Sequence, residues 1–169
     1  NNAGSGLFGD LWKYNPATNL WTWVKGFTTQ DVNGVYGTLG VASSTAMPGS
    51  RYAAASWVDA SNNLWMFGGR GFAASGGFSF LNDLWKFNTS TNEWTWMGGT
   101  QLGSQNGVYG TMGQAAATNV PGGIEFPCSW KDASGRFYLF AGRGFGASGS
   151  PGWLQDLWRY DSGTGQWTW

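Results

Sequence analysis

Asp83-Leu84-Trp85-Lys86-Phe87-Asn88, followed after a short turn by Trp94-Thr95-Trp96, is the stretch that decides the fold. It occurs three times. Asp10-Leu11-Trp12-Lys13-Tyr14-Asn15 leads to Trp21-Thr22-Trp23, and Asp156-Leu157-Trp158-Arg159-Tyr160-Asp161 leads to Trp167-Thr168-Trp169. From position 10 to 83 and from 83 to 156 the spacing is 73 residues, and a fixed period of this length marks a repeat architecture.

Within each copy, aromatic residues alternate at period two, which favours pleated strands. Asn15-Pro16-Ala17-Thr18-Asn19 separates two such strands in the first copy. It is a turn with a mechanism: Pro presets φ, and Asn tolerates the left-handed region and bonds nearby backbone. Each motif is therefore a hairpin.

Other segments recur with the same period. Asn33-Gly34-Val35-Tyr36-Gly37-Thr38 returns as Asn106-Gly107-Val108-Tyr109-Gly110-Thr111, and Pro48-Gly49 returns as Pro121-Gly122. Loops this long are functional or disordered, and recurrence favours an ordered insertion. Tyr52–Val58 is expected to be a strand of small residues, matched by Phe126–Trp130. The turns at Asp59–Asn63 and Asp132–Gly135 open Asp-x-Ser sequences, read as local turn bonding. They lead to Leu64–Phe67 and Phe137–Phe140, apolar throughout, as expected of strands buried on both faces. Gly68-Gly69 and Ala141-Gly142 end them, and Arg70-Gly71-Phe72 and Arg143-Gly144-Phe145 open the glycine-serine loops that follow.

Each repeat thus holds four strands: a small-residue strand, an apolar strand, the Asp-Leu-Trp strand and the Trp-Thr-Trp strand. The expected fold class is all-β, built of four-stranded antiparallel sheets that repeat as the blades of a β-propeller. Residues 1–23 form an outer half-blade after a glycine-rich loop at Asn1–Gly9. Residues 24–96 and 97–169 each form an insertion loop plus a complete blade, giving about two and a half blades.

These residues resemble the kelch family. Its signature is an apolar strand ending in two glycines, then an aromatic residue, then a Trp seven residues later. Here it reads Leu64 to Gly69, then Phe87 and Trp94; in the third copy it reads Phe137 to Gly142, then Tyr160 and Trp167, with Ala141 in place of the first glycine. The N-terminal copy keeps Tyr14 and Trp21. The insertion is similar to that of long-repeat kelch proteins of bacterial surfaces. The resemblance implies a propeller but no single activity. Kelch propellers close with more blades than this, so the chain is expected to be a window of a longer protein, completed by further blades or other chains.

Composition narrows the function. Charged residues make up 11% of the 169, against roughly 25% in ordinary domains. Net charge is zero and the nine Lys and Arg are scattered, which argues against nucleic acid. No apolar run approaches the roughly 20 residues of a membrane helix. No stretch reads as a signal peptide, and a chain starting at Asn1 is expected to be processed, excised or partial. One cysteine, Cys128, aligns with Ala55 and is expected to be a small buried core residue. Cysteine poverty with abundant Trp, Gly, Ser and Thr points to an extracellular or cell-surface setting.

A kelch-like propeller also carries the copper site of galactose oxidase, but this sequence contains no histidine, so that site and any Ser-His-Asp triad are excluded within it. Glu93 and Glu125 fall in separate turns or strand entrances, so no acid–base pair is expected. No cofactor and no metal are expected: Asp10, Asp83 and Asp156 recur singly and are read as strand-start carboxylates bonding turn amides rather than as calcium ligands.

What remains is binding. In propeller geometry the short turns lie on one face and the long aromatic loops, Lys25–Ser50, Arg70–Asn82, Gly98–Gly123 and Arg143–Gln155, on the other. The candidate ligand-binding residues there are Arg70, Phe72, Tyr36, Tyr109, Arg143, Phe145 and Trp153, aromatic surfaces and guanidinium donors for a protein or glycan. The competing role is packing of insertion against blade, with Arg70 and Arg143 bonding loop carbonyls. A second functional class is a self-assembling structural protein of a surface layer or filament, partnered by copies of itself.

Overall fold

A computed structural model describes residues 6–169; the beginning of the expected Asn1–Gly9 loop lies outside the described residues. Every regular element among them is a β-strand. In chain order these are β1 (Leu11–Asn15), β2 (Leu20–Lys25), β3 (Arg51–Tyr52), β4 (Ala55–Val58), β5 (Leu64–Phe67), β6 (Arg70–Phe72), β7 (Phe78–Phe80), β8 (Leu84–Asn88) and β9 (Glu93–Gly98). They continue with β10 (Ala115–Ala116), β11 (Ile124–Glu125), β12 (Cys128–Lys131), β13 (Phe137–Phe140), β14 (Arg143–Gly144), β15 (Gly152–Trp153), β16 (Leu157–Asp161) and β17 (Gln166–Thr168).

The repeating motif forms β1–β2, β8–β9 and β16–β17, all antiparallel. The seven-residue spacing from aromatic to Trp has a direct cause. Tyr14 is the cross-strand partner of Trp21, Phe87 of Trp94 and Tyr160 of Trp167. Their rings lie 5.0, 5.0 and 4.9 Å apart, and such pairs contribute about 0.5–1.5 kcal/mol beyond area burial. The turns hold as their residues dictate: Asn19 and Asn92 both adopt φ 56°, and the Asn15 carboxamide accepts from the Ala17 amide.

The second repeat is a four-stranded sheet in the order β4-β5-β8-β9, and the third a five-stranded sheet in the order β12-β13-β16-β17-β10. They pack face to face with Trp57, Trp65 and Phe67 against Phe137, Tyr160 and Trp167. Their first strands lie side by side, the Trp57 indole donating to the Trp130 carbonyl at 3.0 Å. The hairpin β1–β2 places Leu11 and Val24 on the other face of the second sheet, against Trp85, Phe87 and Trp94.

Three expectations change here. The strand predicted over Tyr52–Val58 is two strands, β3 and β4, because Ala53 turns left-handed at φ 56°; Phe126 does the same at φ 54° in the next repeat. Leu64–Phe67 is covered on both faces, but Phe137–Phe140 is not. Phe140 is 43% exposed, since among the described residues none packs over that face of the third sheet. The same vacancy of neighbours corrects Cys128. Ala55 is buried between two sheets, whereas Cys128 faces outward and is exposed.

The insertions are ordered and close the outer edges. Gly40 and Ser43 donate amides to Trp96 and Trp94 on β9, and Gly113 and β10 line β17 in the same way. An unpaired edge strand invites association with other chains, and these segments cover two of them.

Candidate functional site

The antiparallel order puts the start of β4, the end of β5 and the start of β8 at one end of the sheet. The short turns at 59–63 and 89–92 occupy the opposite end. The long connections build two further three-stranded sheets at the first end, β3-β6-β7 and β11-β14-β15. They join through β11: Gly69 donates to the Ile124 carbonyl at 2.8 Å and Phe126 to the Ala53 carbonyl at 3.0 Å. The recurrent Arg-Gly-Phe exists because β6 and β14 run against the preceding backbone. A Cβ on Gly71 would lie 2.1 Å from the Ser50 carbonyl oxygen, and one on Gly144 2.0 Å from that of Gly123.

Glu125, on β11, sits between two guanidiniums. Arg143 Nη1 donates to its Oε1 at 3.0 Å, and Arg70 Nη1 lies 3.7 Å from the same oxygen. The Glu125 side chain is 3% exposed, while those of Arg70 and Arg143 are 25% and 42% exposed. Arg70 lies over the rings of Phe78 and Phe80, at 4.8 and 4.5 Å, and Arg143 over Phe80 at 5.4 Å. An arginine carries five N–H donors. Among the described residues Arg70 donates no hydrogen bond to the protein and Arg143 donates one. Beside them Tyr52, Phe78 and Phe126 form an exposed aromatic group, with Tyr52 6.1 and 5.9 Å from the other two rings. Burial first, and the nearby Glu125 second, raise the pKa of the Tyr52 hydroxyl.

Beneath this surface lies a second cluster. Asp83 is fully buried and accepts two bonds from Arg51, at 2.6 and 2.7 Å, one from the Tyr36 hydroxyl at 2.6 Å and one from the Trp85 indole at 2.7 Å. Burial opposes ionisation of Asp83, but the charge and bonds of Arg51, with those of Tyr36 and Trp85, outweigh it and hold the carboxyl below its usual range. Burial, then the Asp83 charge, pushes the Tyr36 hydroxyl above its usual pKa. In the third repeat Tyr109 and the Trp158 indole bond Asp156, but Ile124 stands where Arg51 stood. Asp156 Oδ1 is consequently buried without a partner.

The predicted site residues divide accordingly. Arg70 and Arg143 meet at Glu125. Phe72 pairs with Phe78 across β6–β7, Phe145 packs edge-on to Phe80, and Trp153, 78% exposed, pairs with Arg143 across β14–β15. Tyr36 and Tyr109 do not join them. Tyr36 is buried against Trp85 and Trp96, and Tyr109 packs on Trp158 and Trp169; both rings hold insertion to sheet. Arg143 bonds a carboxylate rather than a loop carbonyl, and Arg70 meets that carboxylate only as an ion pair. The repeated aspartates bond side chains rather than turn amides, whereas Asp59 and Asp132 do cap their turns, each accepting from two backbone amides.

Chemically the cluster offers guanidinium donors and aromatic faces on an open surface. A cavity of about 660 Å³ lies elsewhere, beside β1, between Leu11, Trp23, Leu64 and Phe87. Among the described residues no three Asp, Glu or Cys side chains converge on a metal position.

No family model matches the chain, and no curated protein matches its sequence. Among solved structures, that of YjhT is similar in fold, with a TM-score of 0.57 at 15% sequence identity. The match covers 97% of this chain and 51% of YjhT, so the chain spans about half the length of that protein. At this identity the likeness bears on the fold alone.

Glu125 escaped sequence reasoning, though a signal was present. Aligned at the 73-residue period, Arg51-Tyr52 becomes Ile124-Glu125, a change of charge at a position flanked by recurring Pro-Gly and Ser-Trp. The change removes one buried ion pair and creates the acceptor between Arg70 and Arg143.

Proposed function

We propose that the chain is a segment of a kelch-type β-propeller, about two and a half blades, that binds a protein or glycan at its long-loop end without catalysing a reaction. Two four-stranded meanders stacked face to face, one of them extended by β10, a third represented by its outer hairpin, and the aromatic–Trp cross-strand pairs support the blade reading. Absence of histidine from the sequence supports the non-catalytic one. The setting is extracellular or cell-surface, in keeping with low charge and a single cysteine.

The observation that carries the binding role is the pair Arg70 and Arg143, gathered on Glu125 with almost all their donors unengaged beside exposed Tyr52, Phe126 and Trp153. Arg51 is the contrast: buried and spent on Asp83 and the Gly49 and Gly68 carbonyls, it is structural. Hot spots on binding surfaces favour such Arg and aromatic groups. A glycan-array and protein pull-down screen tests the role. At least one retained ligand, released at least about 10-fold more readily by the Arg70→Ala/Arg143→Ala variant, is expected; retention indifferent to both substitutions, or no ligand at all, rejects it.

A further inference from the structure

At the joint between the second and third repeats, cations outnumber the anion they meet. Arg51 pairs with Asp83 and Arg136 with Asp132, one to one and each within its own repeat. Glu125 instead faces two guanidiniums, Arg70 from one repeat and Arg143 from the next. The joint therefore carries one more positive charge than its carboxylate offsets.

What the joint leaves open is donors and rings, not acceptors. The Glu125 side chain is 3% exposed, and its Oε1 is turned to both arginines. Arg70 lies over Phe78 and Phe80, and Arg143 over Phe80. Cation–π attraction holds a guanidinium without using an oxygen acceptor, so the N–H groups stay available. Tyr52, Phe78 and Phe126 adjoin them as exposed rings, with Tyr52 stacked at 24° to Phe78. Two of these three rings carry no polar atom.

A ligand that fits accepts hydrogen bonds and is otherwise apolar. A neutral sugar presents O–H donors as readily as acceptors, and its donors would find the carboxylate of the joint covered. A carboxylate is acceptor-only and takes two parallel N–H bonds from one guanidinium. Aliphatic or aromatic neighbours in a peptide supply the apolar part.

We propose that the long-loop end takes an acidic segment of a protein, an Asp or Glu side chain flanked by apolar residues. The incoming carboxylate accepts from Arg70 and Arg143, so that two cations are matched by two anions. The flanking side chains lie on Tyr52, Phe78 and Phe126. This rests on the ligand-binding role of the same end and adds to it the class and charge of the partner.

The test is selection of phage-displayed random peptides on the 169-residue chain. Enriched peptides carry Asp or Glu beside Leu, Ile, Phe or Tyr. The strongest is synthesised with its acid and with the matching amide, and the amide form binds at least about 10-fold more weakly. That change lies in the peptide, so it leaves the fold of the protein untouched. Binding of the acid form also weakens at least about 10-fold in Arg143→Ala, whose circular dichroism matches the parent. Enriched peptides without an acid overturn the inference, as does an amide form that binds equally or a retained affinity in Arg143→Ala. An acidic oligosaccharide held through both arginines, with no peptide enriched, overturns it while the binding role stands. No ligand of either kind overturns both.

Discussion

The Tyr36 hydroxyl donates to Asp83 Oδ2 at 2.6 Å, joining residues 47 apart in sequence. It ties the Gly-Val-Tyr-Gly insertion to the aspartate that opens the aromatic hairpin, and Arg51 closes the same cluster from the strand that follows the insertion. Tyr36→Phe is expected to lower unfolding free energy by about 1.5–3 kcal/mol in urea titrations, the range for a hydrogen bond to a charged group. Asp83→Ala is expected to cost about 3–5 kcal/mol, because it leaves the Arg51 charge buried and unpaired.

The third repeat supplies an internal control. Ile124 replaces Arg51, so no buried cation depends on Asp156. Asp156→Asn is expected to cost less than about 1.5 kcal/mol, well under Asp83→Asn. Introducing Ile124→Arg makes the two repeats alike, and the penalty of Asp156→Asn then grows by about 0.5–3 kcal/mol in a double-mutant cycle.

The buried cluster also sets a pH window. Asp83 titrates below its ordinary 3.8, so its contribution is complete above that value and is lost as pH falls through the folded-state pKa. Tyr36 titrates above its ordinary 10.0, so its contribution is complete below that value and is lost as pH rises through the folded-state pKa. Urea midpoints are expected to show a plateau between about pH 5 and about pH 9, with Asp83→Asn shrinking the acid limb and Tyr36→Phe the alkaline limb. Limbs left unchanged by these substitutions would place the titration elsewhere.

Close backbone approach predicts which glycines tolerate change. Gly71→Ala and Gly144→Ala set a Cβ about 2 Å from a carbonyl oxygen and are expected to cost about 1–3 kcal/mol or more. Gly152→Ala meets nothing within 4 Å and is expected to stay within about 0.5 kcal/mol of the parent. Thermal unfolding of the three variants reads the difference.

The hairpins, their Asn turns and the meander β4-β5-β8-β9 were legible in the sequence because period-two aromatics and turn residues are local signals. The short sheets β3-β6-β7 and β11-β14-β15 were not, since strands of two or three residues carry no period. Cys128 was misplaced for a different reason. Alignment with Ala55 identifies its position in a sheet, but burial depends on whether another sheet lies beyond. Tyr36 and Tyr109 looked like surface aromatics because they sit in long polar loops, and only the fold brings Asp83 and Asp156 beneath them. Arg70 and Arg143 were named from their place in the long loops; the carboxylate between them, Glu125, lies where the repeat changes from Tyr52.

The claim on which the functional account turns is that ligands meet the long-loop end. Nitrogen-15 correlation spectra, recorded while a ligand retained by the screen is titrated in, report on it through indole and guanidinium resonances. The account predicts that the Trp153 indole and the Arg70 and Arg143 Nε signals shift first and furthest. Shifts confined to Trp12, Trp21 and Trp23, with the arginine signals unmoved, would contradict it.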